Sequence, residues 1–278
     1  MVATLIVFIL IICYRAPYTK FNREKRHMYS TKRWSAFIIL AVSLGFISPL
    51  FADSAWENFL SQLQPVVTLN GGAAIATPVD TNTQSVAISP AGLAYHYTPQ
   101  VNNWPVVGMG GVFAGAEYAI QPDWWLQSGF SYYAFSAIQQ QGSTDNGPGN
   151  YHYNVQSQQV LWESRLAYHY QRFNPYFSVG LGTAINKDNN YQVTHNGSTG
   201  YVFSGHQQAA FSWQVGVGMD ANITQHWRAG LSYRFVDLGA NSLGTVPNAW
   251  GNNQASPGKL KQDNLYMQEA LAQVSYLF

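Results

Sequence analysis

Six ionisable side chains stand in otherwise apolar or aromatic surroundings: Glu117, Glu163, Arg165, Arg228, Arg234 and Glu269. Three carboxylates against three guanidinium groups can neutralise one another. A buried charge is tolerated only when paired and hydrogen-bonded, so these six are expected to form one network inside the molecule. The same network could instead serve as a gate or selectivity element of a pore. The histidines offer less. His96, His152, His169, His195, His206 and His226 are scattered without metal-ligand spacing. His195 and Ser198 share a stretch with Asp188, but nothing in the sequence fixes them as base and nucleophile. The run GMGGVFAG, Gly108 to Gly115, fails as a dinucleotide fingerprint: Phe113 occupies the third glycine position, and no strand–helix–strand context surrounds it. Neither catalysis, nor a cofactor, nor a metal is expected.

What must position the six charges is a set of strands. The chain has 278 residues, 10% charged and 15% aromatic, with net charge +1. That is neither the charge excess of a disordered chain nor the basic balance of a nucleic-acid binder. From Pro65 onward no long amphipathic helix is legible. Eight strand-like segments recur: Val66–Ala76, Val106–Tyr118, Trp124–Ala137, Gln156–Tyr170, Pro175–Ile185, Ala209–Ala221, His226–Leu238 and Gln262–Phe278. Tight turns at 121–123, 171–174 and 222–225 alternate with polar connections at 77–104, 139–154, 186–206 and 239–261. Strict alternation of short and long connections over an even number of strands is the pattern of an all-β, eight-stranded antiparallel up-and-down transmembrane β-barrel.

The phase of the alternation decides which face meets lipid. In the seventh segment Trp227, Ala229, Leu231, Tyr233 and Phe235 oppose Arg228, Gly230, Ser232 and Arg234; in the sixth Phe211, Trp213, Val215, Val217 and Met219 oppose Ser212, Gln214, Gly216, Gly218 and Asp220. The fourth sets Val160, Trp162, Leu166, Tyr168 and Tyr170 against Glu163, Arg165 and His169. Reversing the phase would place Arg165 and Arg234 in hydrocarbon at ~2–4 kcal/mol each near the midplane. The polar phase is therefore expected in the lumen, with Gly180, Gly182, Gly216 and Gly218 making room for long side chains. An eight-stranded interior is filled by side chains, a plugged scaffold before it is a pore.

Before the barrel, Lys32 and Arg33, the apolar run Ala36–Ile47 and a cleavage region near Ala52 read as a secretory signal peptide. The expected organisation is an upstream extension at 1–27 preceding a start at Met28, a signal peptide at 28–52, a periplasmic lead-in at 53–64 and the barrel at 65–278. A genuine N-terminal membrane anchor is the rival for the first run. The single cysteine, Cys13, precedes the cleavage site, so the mature chain is expected to lack disulfides.

The stretch Phe211–Gly239, FSWQVGVGMDANITQHWRAGLSYRFVDLG, resembles the paired sixth and seventh strands of the opacity-protein-like surface antigens, an eight-stranded family related to the OmpA transmembrane domain. NPYFSVGLGTA, Asn174–Ala184, is similar to that family's fifth strand, and the final strand, with Tyr276 and Phe278, resembles the C-terminal assembly signal of bacterial outer-membrane barrels. The resemblance implies an integral outer-membrane protein, exported by its signal peptide, with no enzymatic role and no peptidoglycan-binding domain. Its implied partners are outer-membrane lipid, lipopolysaccharide, the barrel assembly machinery and a host-surface ligand met by the connections 77–104, 139–154, 186–206 and 239–261. A structural or adhesin-like surface role leads. A small pore or hydrophobic-solute channel is the alternative, and a lipid-modifying enzyme stands third.

Overall fold

A computed structural model describes residues 62–77, 83–87, 94–99, 104–144, 149–194, 202–247 and 255–278. The expected extension, signal peptide and most of the lead-in lie outside the described residues. Eleven strands follow in chain order: β1 (Gln64–Thr77), β2 (Gln84–Ala87), β3 (Ala94–Pro99), β4 (Val106–Gln121), β5 (Trp124–Phe135), β6 (Ile138–Thr144), β7 (Gly149–Tyr168), β8 (Phe173–Thr194), β9 (His206–Asn222), β10 (Trp227–Ser242) and β11 (Lys261–Leu277).

Eight of them close a ring, in the order β1–β4–β5–β7–β8–β9–β10–β11, with β11 pairing back onto β1. Every neighbouring pair is antiparallel. Closure removes the edges of the sheet, and every backbone amide of the wall can then be paired without water. The short turns cluster at one end. There Gln171 adopts φ 57° between β7 and β8, and Thr224 Oγ1 accepts from the His226 and Trp227 amides between β9 and β10. At the same end the Phe278 amide donates to Pro65 O, tying the last strand to the first.

Outward side chains form a continuous apolar belt. Leu231 is 69% exposed, Val217 54% and Leu181 53%. Aromatic clusters border it. Trp124 packs at a tilt against Tyr168, and Trp227 edge-on against Tyr276, at the short-turn end; Phe235 packs against Trp213 and Tyr266 at the other. Polar groups in the belt find partners in the belt: the Ser128 and Ser164 hydroxyls share a 3.0 Å hydrogen bond, and Tyr233 Oη donates to Gln268 at 3.0 Å.

The strands run farther than the sequence pattern suggests, which corrects the reading of the long connections. Residues 139–144 and 149–154 are strand in β6 and β7, β8 continues through 186–194, β10 continues to Ser242, and the first connection holds the hairpin β2–β3. Their Gln, Asn and Ser content hides an alternation whose other phase, Ile138, Tyr151, Tyr153, Val155 and Tyr191, is buried. This upper sheet forms a collar above the belt. β3 pairs with β6, and β2 meets the segment before β11 through Gly258 N to Ala87 O at 2.9 Å and a two-way clasp between the Gln84 amide and the Lys261 backbone. The β2–β3 hairpin thus takes the place that β1 and β4 occupy lower in the wall. Gly239, at φ +71°, sits in a bulge of β10, where Asp237 Oδ1 accepts its amide at 2.7 Å. Only glycine adopts that angle without strain.

Candidate functional site: a lumen in two halves

Inward alternation carries polar residues into the lower lumen, toward the short turns. The six expected charges meet there as three pairs. Arg165 Nε donates to Glu163 Oε1 at 2.8 Å; Arg228 grips Glu117 through both terminal nitrogens, at 2.5 and 2.9 Å; Arg234 Nε donates to Glu269 Oε2 at 2.9 Å. Arg234 and Glu269 face each other across the β10–β11 register, whereas Glu117 and Arg228 come from non-neighbouring strands, β4 and β10. Two residues of one strand, Glu163 and Arg165, lie on the same face because the side-chain period is two.

Aromatic and amide groups join the pairs. The Arg234 guanidinium lies 3.7 Å over the Tyr133 ring, and Tyr133 Oη donates to Glu163 Oε2 at 3.1 Å, linking the first and third pairs. Arg165 sits between the Phe113 and Tyr176 rings, 5.2 Å from each centroid. Gln273 donates to Tyr176 Oη at 2.8 Å and to Asp220, and Gln214 accepts from Arg234 at 2.7 Å. Space for this comes from glycines. A Cβ on Gly216 would stand 2.9 Å from the Arg234 stem, and one on Gly218 only 2.4 Å from the Tyr176 ring. Gly180 likewise faces Gln214. Gly182 differs from the expectation: a Cβ there would strike the Val160 carbonyl of β7, so its role is close approach of two strands and not room in the lumen.

The upper lumen departs from the expectation that the polar phase faces inward. Val236, Leu238, Leu265 and Met267 are fully or nearly fully buried, with Ile138, Val155 and Leu271, in one apolar cluster. Tyr97, Tyr151, Tyr153, Tyr191 and Phe203 interlock above them, Tyr191 and Phe203 with centroids 5.2 Å apart, and Leu243, Val246 and Leu260 complete the cluster. Tyr151, Tyr153 and Tyr191 are the inward phase of the extended collar, so they were missed with it, whereas Val236, Leu238, Leu265, Met267 and Leu271 lie within the expected seventh and eighth segments, on the same face as Arg234 and Glu269. Gln214, Asp220 and Gln273 were visible in the polar phase. Nothing marked Tyr133 or Tyr176 as lumenal, because an aromatic residue suits lipid or lumen equally well.

Beyond the belt, Asp188 is buried and Asn241 Nδ2 donates to its Oδ1 at 2.9 Å. Burial pushes its carboxyl up to about 7, only partly opposed by the Asn241 and Ser242 hydrogen bonds. His195 and Ser198, the other members of that sequence cluster, lie outside the described residues. His169 bonds Asn174 at 2.6 Å and His226 stacks on Tyr276. Among the described residues no three His, Cys, Asp or Glu side chains assemble a metal set. Of the terminal pair, Tyr276 packs against Trp227 and Phe278 packs on Tyr276, with centroids 4.9 Å apart.

The belt, the closed ring and the turn asymmetry accord with a sequence-profile match: the outer membrane protein beta-barrel domain profile covers residues 38–278. The chain belongs to that family. It is an integral outer-membrane β-barrel, and by the rule of the family's architecture the short turns face the periplasm and the collar faces outward. Among curated proteins none matches it in sequence. Among solved structures it is similar to Neisserial surface protein A, at 13% identity over 77% of this chain and 97% of that one, TM-score 0.39. It is similar also to the outer membrane protease OmpT from Escherichia coli, at 10% identity over 78% and 96%, TM-score 0.42. Ail, the attachment invasion locus protein of Yersinia pestis, matches at 13% identity over 77% and 99%, TM-score 0.33.

Proposed function

We propose that this barrel is a non-conducting, non-enzymatic surface protein whose collar and outer connections contact ligands outside the cell, in the manner of an adhesin. The observation that supports this reading best is the double filling of the lumen. Ion pairs occupy the lower half, and a cluster of aliphatic and aromatic side chains occupies the upper half beneath Phe203, Leu243, Val246 and Leu260. Beside Tyr153, Leu260 and Gln262 lies a cavity of about 20 Å³, room for about one water. A conduit for ions or apolar solutes would have to open both layers. Free energy placed in a filled interior serves rigidity, and a rigid wall holds the residues at its rim in fixed positions.

The test joins two measurements. The purified barrel is expected to give no stable single-channel steps in planar bilayers. Cells displaying it are expected to bind host cells or matrix protein, and replacing 145–148, 195–200 and 248–254 together by Gly-Ser segments is expected to abolish binding while heat-modifiable migration on electrophoresis is kept. Binding unchanged by that replacement, or steady conductance of the intact barrel, refutes the reading.

A further inference from the structure

Above the belt the wall between β9 and β10 is closed by side chains. The ladder of these two strands ends at Trp213 and Asp237, where β10 bulges, and backbone bonding resumes at Ser204, with Gly244 and Thr245. In between, β10 is stitched to β8 and β9. Ser212 Oγ donates to Asp237 O, Asn186 Nδ2 to Leu238 O at 2.9 Å, the Gln208 amide to Ala240 O, and Asn241 Nδ2 to Asp188 Oδ1 at 2.9 Å. Two carboxylates lie along this seam. Asp237 is satisfied: its Oδ1 accepts from Gly239 N, and its Oδ2 from Trp213 Nε1 and Asn264 Nδ2. Asp188 is not. Its Oδ2 and the Oδ1 of Asn241 are both buried, and among the described residues neither meets a donor. Two acceptors shut away from water without a donor lack one hydrogen.

We propose that Asp188 and Asn241 form a proton-operated latch in the collar: neutral Asp188 donates from Oδ2 to Asn241 Oδ1 while Asn241 Nδ2 donates to Asp188 Oδ1, and loss of the proton opens the seam. A planar acid and a planar amide pair through two such bonds, and the existing 2.9 Å bond is half of that ring. The ionised form leaves a carboxylate beside a carbonyl oxygen out of reach of water. No counter-ion relieves it. Glu117, Glu163 and Glu269 each hold an arginine, whereas among the described residues no Lys or Arg bonds Asp188. His206 of β9 stands opposite Asp188 in the register, but among the described residues no ion pair joins the two, and Lys187 points to the other face of β8. The titratable groups inward on β7 are Tyr151 and Tyr153, and on β8 itself Tyr191; β10 and β11 present Asn241 and Gln262. Burial without a counter-charge lifts the Asp188 carboxyl to about 7, so the latch is shut in acid and released as the pH outside rises through neutrality. β8 and β10 lead into the outer connections, whose roots are firm only while the latch is shut. The inference rests on packing within the outward-facing collar and not on any ligand bound above it.

The full-length protein is refolded in phospholipid vesicles and compared at about pH 5 and about pH 8.5, on either side of the transition. Infrared difference spectra are expected to show a carboxylic-acid C=O band that disappears with a midpoint near 7 and is missing from Asp188→Asn. Hydrogen exchange, corrected for the intrinsic rate at each pH, is followed by mass spectrometry in peptides covering 238–245. Protection there is expected to fall roughly tenfold at the higher pH, the scale of one lost hydrogen bond. Asp188→Asn supplies a permanent donor and keeps protection at both pH values, whereas Asn241→Ala removes the acceptor and lowers protection at both. Heat-modifiable migration verifies that each variant is folded, and the belt stretch 228–235 stays protected throughout. Equal protection of 238–245 in the wild type at both pH values overturns the proposal, as does the absence of the acid band at the lower pH. Parallel loss of protection in 228–235 also overturns it, since the change would then be global. A midpoint lowered by about one pH unit on adding calcium would assign the two oxygens to a metal ion and overturn it equally.

Discussion

Replacing Glu269 by glutamine keeps the shape of the side chain and removes one charge from the driest part of the lumen. Arg234 would then remain with its cation 2% exposed, still bonded to Gln214 and lying over Tyr133, but without the carboxylate that its Nε and Nη2 now share. Removing one partner of a buried pair costs ~3–5 kcal/mol, because the surviving charge has lost both water and counter-ion. The control is Glu117→Gln. Its partner Arg228 keeps 18% of its side chain exposed, against 3% for Arg234, and water near the periplasmic mouth replaces part of what is lost. A cost of about 1–2 kcal/mol is expected there. Removing both members, as Arg234→Met with Glu269→Leu, should restore most of the loss, since a buried pair can be exchanged for apolar groups at little net cost. The measurement is reversible urea unfolding of the barrel in lipid vesicles, followed by tryptophan fluorescence and by mobility on electrophoresis, with equal slopes required before the free energies are compared. Equal costs below about 1 kcal/mol for both single variants would refute the reasoning, since they would mean a hydrated lumen in which neither pair is desolvated.

Two further expectations concern the collar and the belt. Asp188 titrates near 7 in the folded state against an ordinary value near 4, so between those pH values the folded state holds a proton that the unfolded chain has lost. Stability from this group is therefore full at acid pH and declines as pH rises toward and through 7, by no more than about 4 kcal/mol; Asp188→Asn should flatten that dependence in urea melts from pH 4 to 8, and an unchanged slope would show the carboxyl to be ionised and solvated. Leu231→Arg, on the outward face at 69% exposure, should cost ~2–4 kcal/mol in vesicles if that position lies near the bilayer midplane. A cost near zero would place Leu231 outside hydrocarbon.

Much of the wall was legible from residue types alone. Period-two alternation in Phe211–Met219 and Trp227–Phe235, together with the expense of an arginine in hydrocarbon, determines which face is outward, and three short turns between long connections determine an up-and-down barrel. Those are local facts: a strand's two faces are adjacent in sequence. The inward placement of Glu117, Glu163, Arg165, Arg228, Arg234 and Glu269 follows in the same way, but their partners do not. Glu117 and Arg228 are 111 positions apart and meet across the lumen, and only the diameter and stagger of the closed ring decide that they touch.

The collar shows the opposite case. Residues 139–154 and 186–194 carry so many amides that the sequence reads as loop, and the tyrosines alternating with them have no evident destination. Tertiary structure supplies it: the hairpin β2–β3 joins β6 and the Gln84–Lys261 clasp, a ring forms above the belt, and its interior receives Tyr151, Tyr153 and Tyr191. Local composition determined the membrane face of this protein, because lipid tests each side chain by itself. Which side chains fill the lumen together was decided by ring closure, because burial of an aromatic group is favourable only when distant strands arrive to cover it.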